Sequence, residues 1–112
     1  MKARIPGAGG NSRAAMLEQV QRAQQQMQDT QATLEETEYT GEAAGGQITV
    51  TVDGKHTVRA VHIDPAMVDP EDVEMLEDLV AVAVNDAVGK AAADYEEKMG
   101  AITGGLNIPG LL

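Results

Sequence analysis

The 112-residue sequence contains no cysteine, no phenylalanine and no tryptophan. Without cysteine there is neither a disulfide framework nor a cysteine-based zinc site. The aromatic residues are Tyr39 and Tyr95 alone, so the core must be built from small and medium-sized side chains. A chain of this length buries only roughly two thirds of its unfolded surface. The composition predicts one modest domain that would gain stability from a second subunit.

Long apolar runs are also missing. The longest, "LVAVAV" from Leu79, is far shorter than the about 20 residues that a membrane-spanning helix needs. The N-terminal "MKARIPGAGGNSR" lacks the apolar stretch of a secretory signal peptide. We therefore expect a cytoplasmic protein with no membrane partner.

Groups suited to catalysis are scarce. Ser12 is the only serine, and there is no cysteine to act as a nucleophile. The stretch from His62 to Ala87 holds eight carboxylates and no lysine or arginine, but it lacks the ligand spacing of a calcium loop. Acidic residues at a helix N-terminus complement the helix dipole, which is a sufficient structural explanation. We predict no enzymatic activity, no catalytic residue, no cofactor and no metal site.

The net charge of −10 opposes nucleic-acid binding, because Lys and Arg usually neutralise the phosphates. The charge is unevenly distributed, however. Residues 1–28 carry Lys2, Arg4, Arg13 and Arg22 against Glu18 alone, so they sum to +3 and the remaining 84 residues sum to −13. Basic charge is concentrated at one end of the chain.

A first helix is predicted from an N-cap at Ser12 to about Glu36, after a glycine-rich flexible arm over residues 1–11. Its apolar positions recur at spacings of four and three, and they are Met16, Val20, Ala23, Met27, Thr30 and Leu34. Seven glutamines between Gln19 and Gln31 cover the remaining surface. So polar a helix is expected to project from the domain or to pair with its copy; a disordered glutamine-rich tract is the alternative.

Three short strands are predicted next. Tyr39 to Ala44 is the first, and "QITVTV" and "HTVRAVHI" form a hairpin around Asp53-Gly54. A three-residue loop with Gly54 in the left-handed conformation would pair Val50 with His56 and keep the apolar residues on one face.

A second helix is predicted from an N-cap at Asp69, with Pro70 in its first turn, to about Met99. Its middle is apolar on nearly all sides, which a three-stranded sheet cannot cover alone. We therefore predict a dimer interface, formed by Met75, Leu79, Val80, Val82 and Val84. Residues 12–99 would form the single domain, and residues 100–112 a flexible glycine-rich tail.

The sequence resembles the YbaB/EbfC family of bacterial nucleoid-associated proteins. The match covers about Met16 to Met99, and its most specific parts are "TGE" at residues 40–42, "IDP" at residues 63–65 and "EMLEDLVAVAVNDA" at residues 74–87. The resemblance implies an α+β fold with a long N-terminal helix, a small antiparallel sheet of about three strands, a long C-terminal helix and a tweezer-like homodimer.

The resemblance also implies a function. Family members bind double-stranded DNA through their helical arms and influence nucleoid organisation and gene expression. By position, the DNA-binding residues would be Arg13, Arg22, Lys90 and Lys98, with Lys2 and Arg4 at the N-terminus. The alternative is an acidic dimeric protein-interaction module that does not bind DNA directly, whose partners would include DNA-maintenance proteins.

Overall fold

The computed structural model describes residues 4–106, with side chains over residues 12–104. One long helix precedes and another follows an antiparallel sheet of strand order β1-β2-β3. The elements in chain order are α1 (Arg4–Glu36), β1 (Glu38–Ala43), β2 (Ile48–Asp53), β3 (Val58–Ile63) and α2 (Val73–Leu106), with short 3-10 turns at Ala44–Gly46 and Pro65–Met67. This architecture confirms the predicted α+β class and the order of its elements.

The first helix begins earlier than predicted. α1 starts at Arg4 and continues to Glu36, so the predicted N-cap at Ser12 is wrong. Pro6 is the third residue of the helix, and a proline in the first turn has no intrahelical N–H bond to lose. The second helix likewise extends beyond the predicted Met99. The domain limits at residues 12 and 99 and the flexibility of both ends remain predictions, and residues 1–3 and 107–112 lie outside the described part of the chain.

The sheet packs one face against α2, and this contact forms the core. The fully or almost fully buried side chains here are Ile48, Val50 and Val52 of β2 and Ala83, Ala87 and Ala91 of α2. The three alanines recur every fourth residue and so lie on one side of the helix. Their small size lets the sheet approach closely: a Cβ added at Gly41 of β1 would lie 2.2 Å from the carbonyl oxygen of Ala83.

The β2–β3 hairpin has a different register from the predicted one. Val50 pairs with Val61, not with His56. The residue with positive φ in this loop is His56, at 67°, and not Gly54. Gly54 is required for another reason, because a Cβ there would lie 1.8 Å from the carbonyl oxygen of Leu34. The hairpin tip therefore rests on the end of α1, a long-range contact that turn rules do not contain.

Asp53 stabilises the loop between the paired residues Val52 and Val58. Its side chain is almost fully buried, and Oδ1 accepts hydrogen bonds from the backbone N–H groups of Lys55 at 2.9 Å and Thr57 at 3.0 Å. Its Oδ2 accepts a third from Nε of Arg59 at 3.1 Å. The hydrogen bond from the Thr57 amide is the main cause that lowers the pKa of Asp53 below its ordinary value.

The second helix begins later than predicted, at Val73. Asp69 and Pro70 form a turn before it, in which the Asp69 carbonyl accepts the N–H of Asp72 at 2.9 Å. Asp72 is the residue that caps the helix, because its Oδ1 accepts the N–H of Met75 at 3.3 Å. The predicted cap at Asp69 is therefore wrong, although the type of residue and its role were correct.

Beyond the sheet, α1 and α2 pack side by side in antiparallel directions. Of the apolar positions of α1, Ala23 lies near Ile102 and Leu34 lies near Asp94. Ala23 and Leu34 are buried and Met27 and Thr30 between them are half-buried, so these predicted apolar positions pack on α2 of the same chain, a contact that the prediction did not include, whereas Met16 is exposed. The molecule is a rod of 87 × 21 × 16 Å. Over residues 4–106, neither helix has the combination of length and hydropathy needed to cross a membrane.

Candidate nucleic-acid interface

The two predicted arginines of α1 lie on different sides of the helix. Arg13 and Arg22 are nine residues apart, which corresponds to about 13 Å along the axis and about half a turn around it. Arg22 borders the cleft between α1 and α2 beside Ile102, and its guanidinium lies 3.5 Å from the carboxylate of Glu18. Both members of that ion pair are exposed, so it is weak.

Arg13 is in a different electrostatic situation. It is exposed, and among the side chains of residues 12–104 no carboxylate forms an ion pair with it. Its full charge is therefore available to an anionic partner. The two arginines cannot contact one phosphate strand together, because they face opposite directions.

Lys90 lies over the sheet and not on the projecting pair of helices. Its Nζ donates a hydrogen bond to the backbone carbonyl of Thr40 in β1 at 2.9 Å and lies 3.5 Å from Oδ2 of Asp86. Asp86 in turn accepts the backbone N–H of Glu42 at 3.0 Å. This pair of side chains fastens the edge strand β1 to α2, and a phosphate would have to compete with those contacts.

Lys98 lies at the base of the helical pair and is bound to Asp94. Asp94 also accepts a hydrogen bond of 2.5 Å from the hydroxyl of Tyr39. The bond to Asp94 raises the pKa of Lys98, and the bond from Lys98 is the main cause that lowers the pKa of Asp94. Burial, with a smaller contribution from Asp94, raises the pKa of Tyr39 to about 12. The network joins β1 to α2 and neutralises the lysine locally.

The predicted basic residues therefore do not form one continuous patch. Arg13 and Arg22 belong to the projecting helix, whereas Lys90 and Lys98 are engaged with carboxylates on α2. Lys2 lies outside the described residues, and Arg4 begins α1 but its side chain is outside them. The DNA-contacting role of all six residues remains a prediction.

Most aspartates of the acidic stretch accept hydrogen bonds from backbone N–H groups. Asp64 accepts the N–H of Ala66 at 2.9 Å, and Asp69 accepts the N–H of Glu71 at 2.9 Å. Asp72 caps α2, as described above. These contacts agree with the structural interpretation of the stretch, in which acidic side chains satisfy free N–H groups at turns and helix starts.

The predicted dimer-interface residues fall on two sides of α2. Leu79, Val80 and Val84 are half-buried and pack against the core of the same chain, whereas Met75 and Val82 are exposed. At 3.6 residues per turn, Val82 and Val84 lie about 160° apart around the helix. An interface between two chains remains a prediction. It would involve either one of these sides of α2 or both of them.

Sequence reasoning missed the uncovered third strand. Val58 and Val61 pair with Val52 and Val50 of β2 and therefore share the apolar face of the sheet, yet they are 46% and 48% exposed. α2 packs over β1 and β2 and leaves β3 uncovered except at Ile63, which is half-buried against the core. The signal was available, since three strands at their usual spacing make a sheet about 14 Å wide, whereas one α-helix is about 10–12 Å across.

Comparisons with known proteins agree with this fold. A model of the YbaB/EbfC DNA-binding family matches residues 10–106. A nucleoid-associated protein of Alkaliphilus metalliredigens is 51% identical over 108 residues, which cover 96% of this chain and 95% of that protein. One from Clostridium acetobutylicum is 44% identical, with 98% of each chain covered, and one from Legionella pneumophila is 46% identical, with 84% and 83% covered.

Among solved structures, an uncharacterized protein from Helicobacter pylori shares the fold with a TM-score of 0.57 at 18% identity. The match covers 70% of this chain and 90% of that one. Because the family model spans most of the sequence and the relatives match it nearly end to end, the chain belongs to the YbaB/EbfC DNA-binding family.

Proposed function

We propose that the protein is nucleoid-associated in the cytoplasm, that it binds double-stranded DNA as a homodimer, and that it thereby influences nucleoid organisation and gene expression. The family match over residues 10–106 is the observation that carries this proposal. The names of the relatives point in the same direction.

The shape and charge of the chain support a DNA-binding role for α1. The helix extends away from the acidic sheet region, and Arg13 lies on it with its charge free of local ion pairs among the described side chains. The acidic body would be held away from the phosphates by the length of the rod. A homodimer would present two such helices and double the basic charge.

The uncovered face of β3 supports the homodimer. Val58 and Val61 expose the apolar side of an edge strand, which is an aggregation hazard unless it is covered. A second copy would cover this face with the same face of its own, as twofold symmetric interfaces do. The small core of the single chain would gain buried apolar area from this contact.

The experiment is fluorescence anisotropy of a labelled duplex titrated with the protein at about 50 and 200 mM salt. The slope of log affinity against log salt is about −0.9 per phosphate neutralised. Two Arg13 side chains in a dimer would give a slope near −2, and participation of Arg22 as well would bring it near −4.

Charge-reversal variants locate the site. Arg13→Glu should abolish binding, and Arg22→Glu should weaken it less because Arg22 is already paired with Glu18. Lys55→Glu is the matched control, since it makes the same charge change at an exposed position on the β2–β3 loop, far from α1's N-terminal half. Equal losses in all three variants would indicate a general charge effect and not a site on α1.

The net charge of −10 and the engagement of Lys90 and Lys98 favour a second candidate function. In it, the acidic dimer binds another protein, for example one that maintains DNA, and does not contact DNA itself. Absence of DNA binding at 50 mM salt, with the dimer intact, would favour this second function over the first.

A further inference from the structure

One side of α1 carries glutamines without any acidic residue between them. Relative to the buried Ala23, the helical rotation of about 100° per residue places this side roughly 80–160° around the helix, so it flanks the α2 contact and faces outward. Its members are all exposed, and they are Arg13, Leu17, Gln21, Gln24, Gln28 and Gln31, which we name the outward stripe. The stripe is about 27 Å long. It ends toward the sheet at Glu35, the next residue on this side.

The acidic residues of this part of α1 lie elsewhere on its surface. Glu18 is paired with Arg22, and Asp29 accepts a hydrogen bond of 2.9 Å from the amide of Gln25. The outward stripe therefore has a charge of +1 from Arg13 within a chain of net charge −10. Along the stripe itself, from Arg13 to Gln31, a polyanion would meet no carboxylate, and Glu18, about 60° from Gln21 around the helix, is paired with Arg22.

We propose that the outward stripe reads A·T base pairs in the major groove of DNA, with Arg13 on a phosphate and the glutamine amides on adenine edges. This inference rests on the proposed function and adds the base preference and the residues that set it. A glutamine amide has one acceptor and two donor hydrogens, which match N6 and N7 of adenine as a bidentate pair. Neutral amides neutralise no phosphate, so their contribution is to selectivity.

The dimensions agree with a major-groove contact. The groove is about 12 Å wide and accepts an α-helix of about 10–12 Å diameter. Gln21, Gln24 and Gln28 span about 10 Å along the axis, the rise of about three base pairs. On the side next to the stripe, α1 is packed on α2 through Ala23 and Leu34, so the helix presents the stripe from a supported position, as a recognition helix does.

The chemistry of the stripe fits a protein partner less well. The cores of protein interfaces are enriched in aromatic residues, methionine and arginine. Within the outward stripe, Leu17 is the only apolar side chain and there is no aromatic residue. A row of glutamines is suited instead to a partner that presents hydrogen-bond donors and acceptors at a regular spacing.

The test compares two triple variants with the same number and type of changes. Gln21→Ala/Gln24→Ala/Gln28→Ala removes the central amides of the stripe, and alanine preserves the helix because it has the highest helix propensity. The control, Gln19→Ala/Gln25→Ala/Gln26→Ala, removes two amides that border the cleft with α2 and one that is bonded to Asp29. Circular dichroism checks that both variants keep their helical content.

Affinity is measured by anisotropy at about 50 mM salt for two duplexes of equal length, one rich in A·T and one rich in G·C. We expect the wild type and the control to prefer the A·T duplex by about tenfold, the discrimination of one good bidentate contact. The stripe variant should bind the two duplexes within about twofold of each other. A third duplex with 7-deazaadenine, which lacks N7 in the major groove and leaves the minor groove unchanged, should also lose the preference.

Each contrary result has a definite meaning. Binding to both natural duplexes with equal affinity, or a preference that survives in the stripe variant or with 7-deazaadenine, would overturn the inference and leave the proposed function intact. Failure of the wild type to bind any duplex would overturn both.

Discussion

Gly54 in the β2–β3 loop lies directly against the carbonyl oxygen of Leu34 at the end of α1. A Cβ added at Gly54 would come within 1.8 Å of that oxygen and 2.9 Å of the Cα of Glu35. The atoms in the way are backbone atoms, which cannot rotate aside as a side chain can. This close approach brings the β2–β3 loop of the sheet into contact with the C-terminal end of α1.

Gly54→Ala should therefore destabilise the fold by about 3 kcal/mol, the upper part of the usual range for overpacking. Urea unfolding followed by circular dichroism measures this change. Protein concentration must be held constant, because dimerisation would make the apparent stability depend on it. A loss below about 1 kcal/mol would mean that the loop moves away from α1 easily.

His56→Gly in the same loop should have the opposite effect. His56 has a φ of 67°, a left-handed conformation that is unfavourable for a residue with a Cβ by about 1–2 kcal/mol. Part of the gain is offset by the greater freedom of glycine in the unfolded chain, so we expect a net stabilisation of about 0.5–1 kcal/mol. Lys55→Gly is the control, since φ is not positive there and the variant should be slightly less stable than the wild type.

Gly41 and Gly89 form a second contrasting pair. Gly41→Ala would place its Cβ 2.2 Å from the carbonyl oxygen of Ala83 and 2.3 Å from the amide nitrogen of Ala87, so it should destabilise by about 3 kcal/mol or prevent folding. Gly89→Ala, on the exposed side of α2, has no neighbour within 4 Å and should stabilise the helix by about 0.5–1 kcal/mol. Thermal unfolding of both variants measures the contrast, which similar shifts in the two variants would contradict.

These glycines show what could and could not be predicted from the sequence. Local patterns located the helices and strands, since a 3.6-residue period and strict alternation depend on neighbouring residues alone. Gly54 was correctly recognised as special but for a local reason, the left-handed turn, whereas its actual constraint comes from Leu34, twenty residues away in sequence. The predicted loop length and hairpin register were wrong as a consequence of that error.

The same distinction applies to the candidate interface. The positions of Arg13 and Arg22 on α1 were predictable, and so was their half-turn separation. The ion pair of Lys98 with Asp94 was predictable from their spacing of four residues, but the hydroxyl of Tyr39, which completes the network, reaches it only through the tertiary fold. The bond from Lys90 to the carbonyl of Thr40 is likewise tertiary.

Asp53 should make the stability of the protein depend on pH under acidic conditions. Its pKa in the folded state is below the ordinary value of 3.8, so the unfolded chain binds a proton more readily than the folded one. This contribution to stability is complete above about pH 5 and is lost as the pH falls through 3.8 toward the folded pKa. Asp53→Asn should therefore show a smaller fall in melting temperature between pH 5 and pH 3 than the wild type.

Arg59→Gln separates the two kinds of contact that Asp53 makes. The backbone N–H of Thr57 lowers the pKa of Asp53 more than the charge of Arg59 does. The stability of Arg59→Gln should therefore still fall on acidification almost as much as that of the wild type. The stability of Asp53→Asn should fall much less. If the acid-dependent fall in stability were reduced equally in both variants, the arginine would be the dominant partner of Asp53.

The exposed face of β3 and the exposed side of α2 test the predicted homodimer. We expect light scattering on a sizing column to give twice the chain mass of 11.7 kDa at micromolar concentration. Val61→Glu places a charge on the uncovered apolar face of the sheet, and Val82→Glu places one on the far side of α2. Each should weaken dimerisation at least about tenfold, because burying an unpaired carboxylate is strongly unfavourable. Gln31→Glu adds the same charge on α1 and should leave the dissociation constant unchanged.

An effect of Val61→Glu alone would restrict the interface to the β3 side and remove Met75 and Val82 from it. A monomer of 11.7 kDa in the wild type would contradict the homodimer itself.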